Sequence, residues 1–207
     1  MTFAPPNPFE SEPKMRAMRS APRNLCAVAA LGLGLSGCGY AAIPAAQEKA
    51  EAKWAAAQQA YQQRDRLIPA VVTGVQGCGK QEAAALAEAR AKAAQIRLDA
   101  WRLIDADEFK RFQDAQAGLT GALAAAMAAS AHCPELASDR NFLALRAQLD
   151  EGERRIAAAR RDFDAAARAY NLTLQTFPTM LWAVTLFRGK MPMAVFPDRQ
   201  DATAARR

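Results

Sequence analysis

Three observations predict an all-α fold: an antiparallel up-and-down four-helix bundle with an N-terminal anchor and a short C-terminal helix or extension. Alanine supplies 51 of the 207 residues, and it is the strongest helix former. From Pro44 onward, apolar residues recur at spacings of three and four, the period of packed helices. Short breaks rich in Gly, Pro and Asp divide this pattern into four stretches, and helices joined by short loops pack antiparallel. A hydrophobic fraction of 51% excludes a disordered chain. No strand-length alternating segment competes.

The chain begins with a targeting segment, residues 1–37. Lys14, Arg16, Arg19 and Arg23 precede the apolar run Leu25 to Leu35, the length of a signal-peptide core. The run ends in Leu35-Ser36-Gly37-Cys38, which resembles the lipobox of bacterial lipoproteins. In that chemistry the thiol of Cys38 receives a diacylglycerol, a peptidase cuts before Cys38, and the freed amine is acylated, with palmitate-type chains as the anchor. Each buried CH2 contributes about 0.8 kcal/mol, so two or three chains hold firmly. The alternative is an uncleaved helical anchor: residues 25–43 carry no charge, close to the roughly 20 residues of a span. Four glycines within them make a poor span. Both readings leave the basic side in the cytoplasm and the rest outside, facing the periplasm. Residues 1–14 are proline-rich and acidic for a signal, so a start at Met15 or Met18 stands beside Met1 as an alternative. Residue 39 is Gly rather than the Asp that retains lipoproteins at the inner membrane, which favours the outer membrane.

The bundle is expected over residues 38–176. The first stretch runs about 44–76, with a seam of Trp54, Ala57, Tyr61, Arg64, Ile68, Val71 and Val75. Pro69 removes a backbone donor inside it and predicts a kink. Gly77-Cys78-Gly79 ends it. The second stretch runs about 80–104 through Leu86, Ala89, Ala93, Ile96, Ala100 and Leu103. Asp105 and Glu108 have capping-box spacing for the third, about 108–131, whose seam is Phe109, Phe112, Leu119, Leu123, Ala126 and Ser130. The fourth, about 139–175, keeps strict spacing through Phe142, Leu145, Leu149, Gly152, Ile156, Ala159, Phe163, Ala166 and Tyr170, with Ser138 or Asp139 as N-cap. Residues 177–196 form a separate apolar segment, read as a short helix folded onto the bundle or as a membrane-surface or partner-binding element. Residues 197–207 read as a disordered tail.

Of four cysteines, Cys26 leaves with the signal and Cys38 takes lipid, leaving Cys78 and Cys133 outside the cytoplasm. They sit in the first and third loops, which share one end of an up-and-down bundle, so a disulfide is permitted; the alternative is two independent thiols.

Composition excludes most chemistry. The single histidine, His132, rules out the paired ExxH motifs of di-iron bundles and leaves no catalytic triad outside a loop. No CxxC motif is present. Gly74, Gly79 and Lys80 have Walker-type spacing, but Gln81 replaces the required Ser or Thr and no strand precedes them. Acidic residues after Cys38 read as helix surface charge rather than a glycosidase pair. Net charge falls from +6 to +4 once the signal's four basic and two acidic residues are removed, and no basic–aromatic interleaving points to nucleic acid. No enzyme, cofactor or metal is expected. The polar residues that stand out are Arg64, Asp65, Glu153, Arg160 and Arg161. Arg64 lies on a core seam, where a guanidinium needs a carboxylate. The group reads as a bundle-locking ion pair or a partner-recognition patch.

Several runs resemble the LemA family across residues 38–196. Trp54 with Gln62-Gln63-Arg64-Asp65-Arg66-Leu67-Ile68-Pro69 is similar to the family's first-helix motif. Gly77, Glu82 and Ala89-Arg90-Ala91 follow in order, then Asn141-Phe142-Leu143-Ala144-Leu145. Arg155-Ile156-Ala157, Ala159-Arg160-Arg161-Asp162-Phe163, Tyr170-Asn171 and Phe177-Pro178 complete the set. The resemblance implies an antiparallel helical bundle anchored at its N-terminus, with no known catalytic activity and with envelope protein partners. Ala70 replaces the usual Asn, and Gln81 the usual His. Cys78 and Cys133 both stand where the family tends to have Tyr, a joint change that fits a disulfide. The expected role is a membrane-anchored scaffold or interaction protein of the cell envelope; the alternative is a bundle holding a small apolar ligand.

Overall fold

Trp54, Phe109, Phe112 and Phe163 meet in one of the two buried clusters, with ring centroids 5.1–6.1 Å apart where they touch. The computed structural model that shows this describes residues 40–197. The signal segment, Cys38 and the tail from residue 198 lie outside the described residues. Every regular element among the described residues is helical.

Helix α1 (Ala42–Val75) is the hub, packing against each of the other long helices. It runs through Pro69 as one assigned helix. Pro69 is exposed, where water can satisfy the Asp65 carbonyl that lost its donor. The chain turns through Gln76–Gly79, with the N–H groups of Cys78 and Gly79 both donating to the Val75 carbonyl. Glycine suits a tight approach at position 79: a Cβ there would sit 3.0 Å from Val75, Glu82 and Ala129 at once, and each would have to give way.

Helix α2 (Lys80–Gln95) stops nine residues short of the expected end at residue 104. Ile96 is extended and a short 3-10 turn follows at Ala100–Arg102. The reason is tertiary. The Leu98 carbonyl accepts the Trp54 indole N–H at 2.9 Å and the Gln58 amide at 2.6 Å, bonds available to an extended carbonyl facing α1. Leu103 is still buried, so the apolar pattern of the break serves the core without helical geometry.

Helix α3 (Ala106–Ser130) starts at an Asp105 cap, whose Oδ1 accepts from the N–H groups of Asp107 and Glu108. The capping box is incomplete. The Glu108 carboxylate accepts from Arg102 Nη1 at 2.9 and 3.0 Å, and the Asp105 N–H donates to the Arg102 carbonyl. The expected seam is buried in full: Phe109, Phe112, Leu119, Leu123, Ala126 and Ser130. A short helix α4 (Pro134–Ser138), where no element was expected, precedes α5 (Arg140–Gln175). Pro134 at its first turn has no donor to lose. Asp139 caps α5, accepting from the Asn141 N–H at 2.8 Å.

Phe142, Leu149, Ile156, Phe163 and Tyr170 of α5 are buried at strict seven-residue intervals and face α1. Contacts advance along α1 as they retreat along α5, from Lys53–Asp162 through Arg64–Glu153 to Gly74 against Phe142. These two helices are therefore antiparallel. Helix α6 (Thr179–Thr185) follows the cis peptide before Pro178.

Residues 177–196 hold one short helix and fold back onto the core. Met193 and Phe196 are core members, and Phe196 packs 4.9 Å from Phe109. Asn171 holds the Met193 backbone at both N–H and carbonyl, 2.8 Å each, and the Phe196 N–H donates to Asp164 Oδ1. The Ala194 N–H donates to the Leu103 carbonyl at 2.7 Å. The segment up to residue 197 is thus strapped across the region where α2 broke, and its Ala194 N–H satisfies a carbonyl of that break.

Candidate functional site

Arg64 is 1% exposed and sits on the face of α1 between two apolar clusters. Its Nη1 donates to Glu153 Oε1 on α5 and to Thr120 Oγ1 on α3, each at 2.8 Å. Its Nη2 donates to Gln116 Oε1 at 2.6 Å, and its guanidinium lies 5.6 Å from the Tyr61 ring centroid. Nε is buried without a partner. One guanidinium therefore ties three helices together. Gly152, one residue before Glu153, lies opposite the Arg64 stem.

The other polar residues do not converge on Arg64. Asp65 points the other way and takes a two-point bond from Arg90 on α2, 3.0 Å on each arm. Arg160 lies over the Phe196 ring at 4.0 Å, closing the strap rather than lining a patch. Arg161 is exposed. Of the five, the structure joins Arg64 with Glu153 alone.

Sequence reasoning missed Gln116 and Thr120. The available signal was Gln116 itself: it falls four after Phe112 and three before Leu119, so it is a polar residue on an otherwise apolar seam.

Beside this network a cleft of about 490 Å³ opens between α1, α3 and the break after α2. Gln58, Gln62, Asp65, Arg97, Asp99 and Gln116 supply its polar lining, and Tyr61, Ile96 and Phe112 its aromatic and apolar lining. Burial pushes the Tyr61 phenol up from its ordinary value, while Arg160 and Arg64 oppose the rise. The phenol is thus a neutral hydrogen-bonding group at physiological pH. Amides, a neutral phenol, an Asp65 already committed to Arg90, and the charged Arg97 and Asp99 suit hydrogen bonding and ion pairing with a polar surface. Among the described residues, no three His, Cys, Asp or Glu side chains are grouped to hold a metal ion.

At the far end of α1, a disulfide links Cys78 and Cys133, with Cα atoms 6.2 Å apart, inside the usual span of the bond. His132 beside it is exposed. No helix among the described residues is long and apolar enough to cross a membrane.

The family model for the LemA family matches residues 53–205, and the chain belongs to that family. Comparison with curated proteins gave no match.

Proposed function

We propose that this LemA-family chain is a lipid-anchored, non-catalytic scaffold or interaction protein of the cell envelope, held through Cys38 and facing the periplasm. Its frame is read as an antiparallel up-and-down four-helix arrangement of α1, α2, α3 and α5. The observation that carries the interaction reading is the division between a filled interior and an open polar cleft. The buried side chains form two contiguous clusters, so the interior is occupied by its own rings and branched chains. An apolar ligand between the helices would have to displace them. The cleft around Gln58, Gln62, Asp65 and Gln116 instead presents polar groups to whatever approaches from outside, as the rim of a protein interface does.

An oxidising compartment fits the Cys78–Cys133 pair, since disulfides persist outside the cytoplasm. Crosslinking in living cells followed by mass spectrometry tests the reading, with Cys38→Ser as the mislocalised control. Protein crosslinks at cleft residues that are lost with Cys38→Ser are expected. An unchanged partner set and an unchanged membrane fraction in that variant would defeat the lipid anchor.

A further inference from the structure

Eleven large apolar side chains are exposed among the described residues, and eight of them are Tyr40 or lie between Leu172 and Met191. Scattered exposure is ordinary; concentration at one end is not. Helix α6 shows how it arises. Trp182 and Ala183 turn inward and pack on the core, while Met180, Leu181 and Val184, spaced three and four apart, turn outward. Phe177, 73% exposed, precedes them and Leu186 follows. The helix is apolar on both faces, and only one of them meets protein.

Two facts identify what the outer face meets. Tyr40 packs on α6, its ring 5.6 Å from Phe187 and 6.4 Å from Trp182. Cys38 is two residues earlier, and two residues reach at most about 7 Å. The described structure therefore begins at this patch, two residues along the chain from the residue read as lipidated. The second fact is charge. Residues 165–197 contain no Asp or Glu, and Arg188 and Lys190 follow α6 directly. An apolar face followed along the chain by two cations, in a segment without Asp or Glu, matches an anionic membrane surface.

We infer that the outer face of α6, with Phe177 and Leu186, docks into the interface of the membrane that carries the anchor, with Arg188 and Lys190 at the headgroups. This rests on the lipid-anchor reading for its geometry. The anchor supplies proximity, and α6 sets orientation: a bundle seated by α6 presents its other end, with the Cys78–Cys133 bond, away from the bilayer.

The test uses the full lipidated protein in a Trp101→Phe background, which removes the exposed tryptophan far from α6 in sequence. It is reconstituted in vesicles of phosphatidylethanolamine and phosphatidylglycerol containing lipids brominated on the upper acyl chain. The interfacial depth expected is about 5–10 Å, so Trp182 emission, taken as the difference from Trp182→Phe, falls with these lipids. It recovers in Leu181→Ser/Val184→Ser, whose thermal unfolding stays unchanged because both side chains are exposed. In the full chain carrying Cys38→Ser, Arg188→Gln and Lys190→Gln each lower partition to the same vesicles about fivefold. Carbonate extraction of cell membranes reports the anchor separately. Wild type in the membrane pellet with no quenching of Trp182 overturns the docking inference and leaves the anchor standing. Quenching that persists with Cys38→Ser supports docking independently of the anchor. A protein crosslinked to α6 in cells, with no lipid quenching, would assign the face to a protein and overturn the inference.

Discussion

The interior is built in two halves of different chemistry, with Arg64 between them. The half nearer the chain entry is aromatic: Trp54, Tyr61, Phe109, Phe112, Phe163, Tyr170 and Phe196. The half nearer the disulfide is aliphatic: Ile68, Val71, Val75, Leu86, Leu119, Leu123 and Leu149, with Phe142 the one ring. Their backbones differ accordingly. The aliphatic half is closed by continuous helices and tight turns, with Gly79 brought against α3 and Gly74 against the Phe142 ring. The aromatic half is closed partly by irregular chain, Leu98 and Leu103 from the break and Met193 and Phe196 from the strap. Rings meeting edge to face need space around their centroids, and extended segments fill the edges that a regular helix would leave. One heptad pattern along α5 supports both modes, because what faces it differs.

The largest effect is expected in the aromatic half. Trp54→Ala should destabilise by about 3–5 kcal/mol, measured by urea unfolding, since the indole joins α1 to α3 and α5 and also holds Leu98. Trp54→Phe keeps a ring and should lose only the Leu98 hydrogen bond and some packing, about 1 kcal/mol. A loss under about 1 kcal/mol for Trp54→Ala would show that the rings are not the cement of that half.

In the aliphatic half the covalent link comes next. The double change Cys78→Ala/Cys133→Ala should cost about 2–4 kcal/mol, and reductant should lower the melting temperature of the wild type alone. Two free thiols counted in the unreduced, unfolded protein would remove this contribution.

The boundary between the halves is a smaller test. Arg64→Ala should cost about 2 kcal/mol. The Glu153 side chain is 38% exposed and can turn to water once its partner is gone. Arg64→Met, which fills the space without charge, should be close to neutral. Equal losses for both variants would mean that the ion pair itself, and not the filled volume, ties the halves together.

The smallest effect is alkaline. Burial raises the phenols of both Tyr61 and Tyr170 above 10.0. Below pH 10 both states hold the proton and the stabilisation is complete. As pH rises through 10, the unfolded chain ionises first and stability falls. Tyr61→Phe should flatten this fall in a titration of unfolding free energy above pH 10. An unchanged slope would assign the loss to other groups.

Much of this architecture is legible in the amino-acid sequence. The seams of α3 and α5 are the buried faces of those helices, because apolar residues at helical spacing have one way to leave water. Arg64 reads as core from its seam position, and a buried guanidinium has to find acceptors. The misses share a cause. Leu98, Met193 and Phe196 lie outside any helical period and are buried by segments far away in the chain. Thr120 is an ordinary helix-surface type until Arg64 arrives, and Gln116, though its seam position marks it, does not reveal its partner. The short helix α4 is one turn, too brief for periodicity to mark.

Residue order alone specifies that the chain is helical, which faces are apolar, and that its residues carry the LemA pattern. Those properties are local: propensity and a 3,4 period act within a few residues. Tertiary packing sets where α2 stops, what Arg64 grips, and that the chain end closes the aromatic half. Each of these depends on partners 22 to 89 residues apart, such as Asn171 with Met193, Trp54 with Leu98 and Arg64 with Glu153. No local preference records an acceptor brought in from so far along the chain.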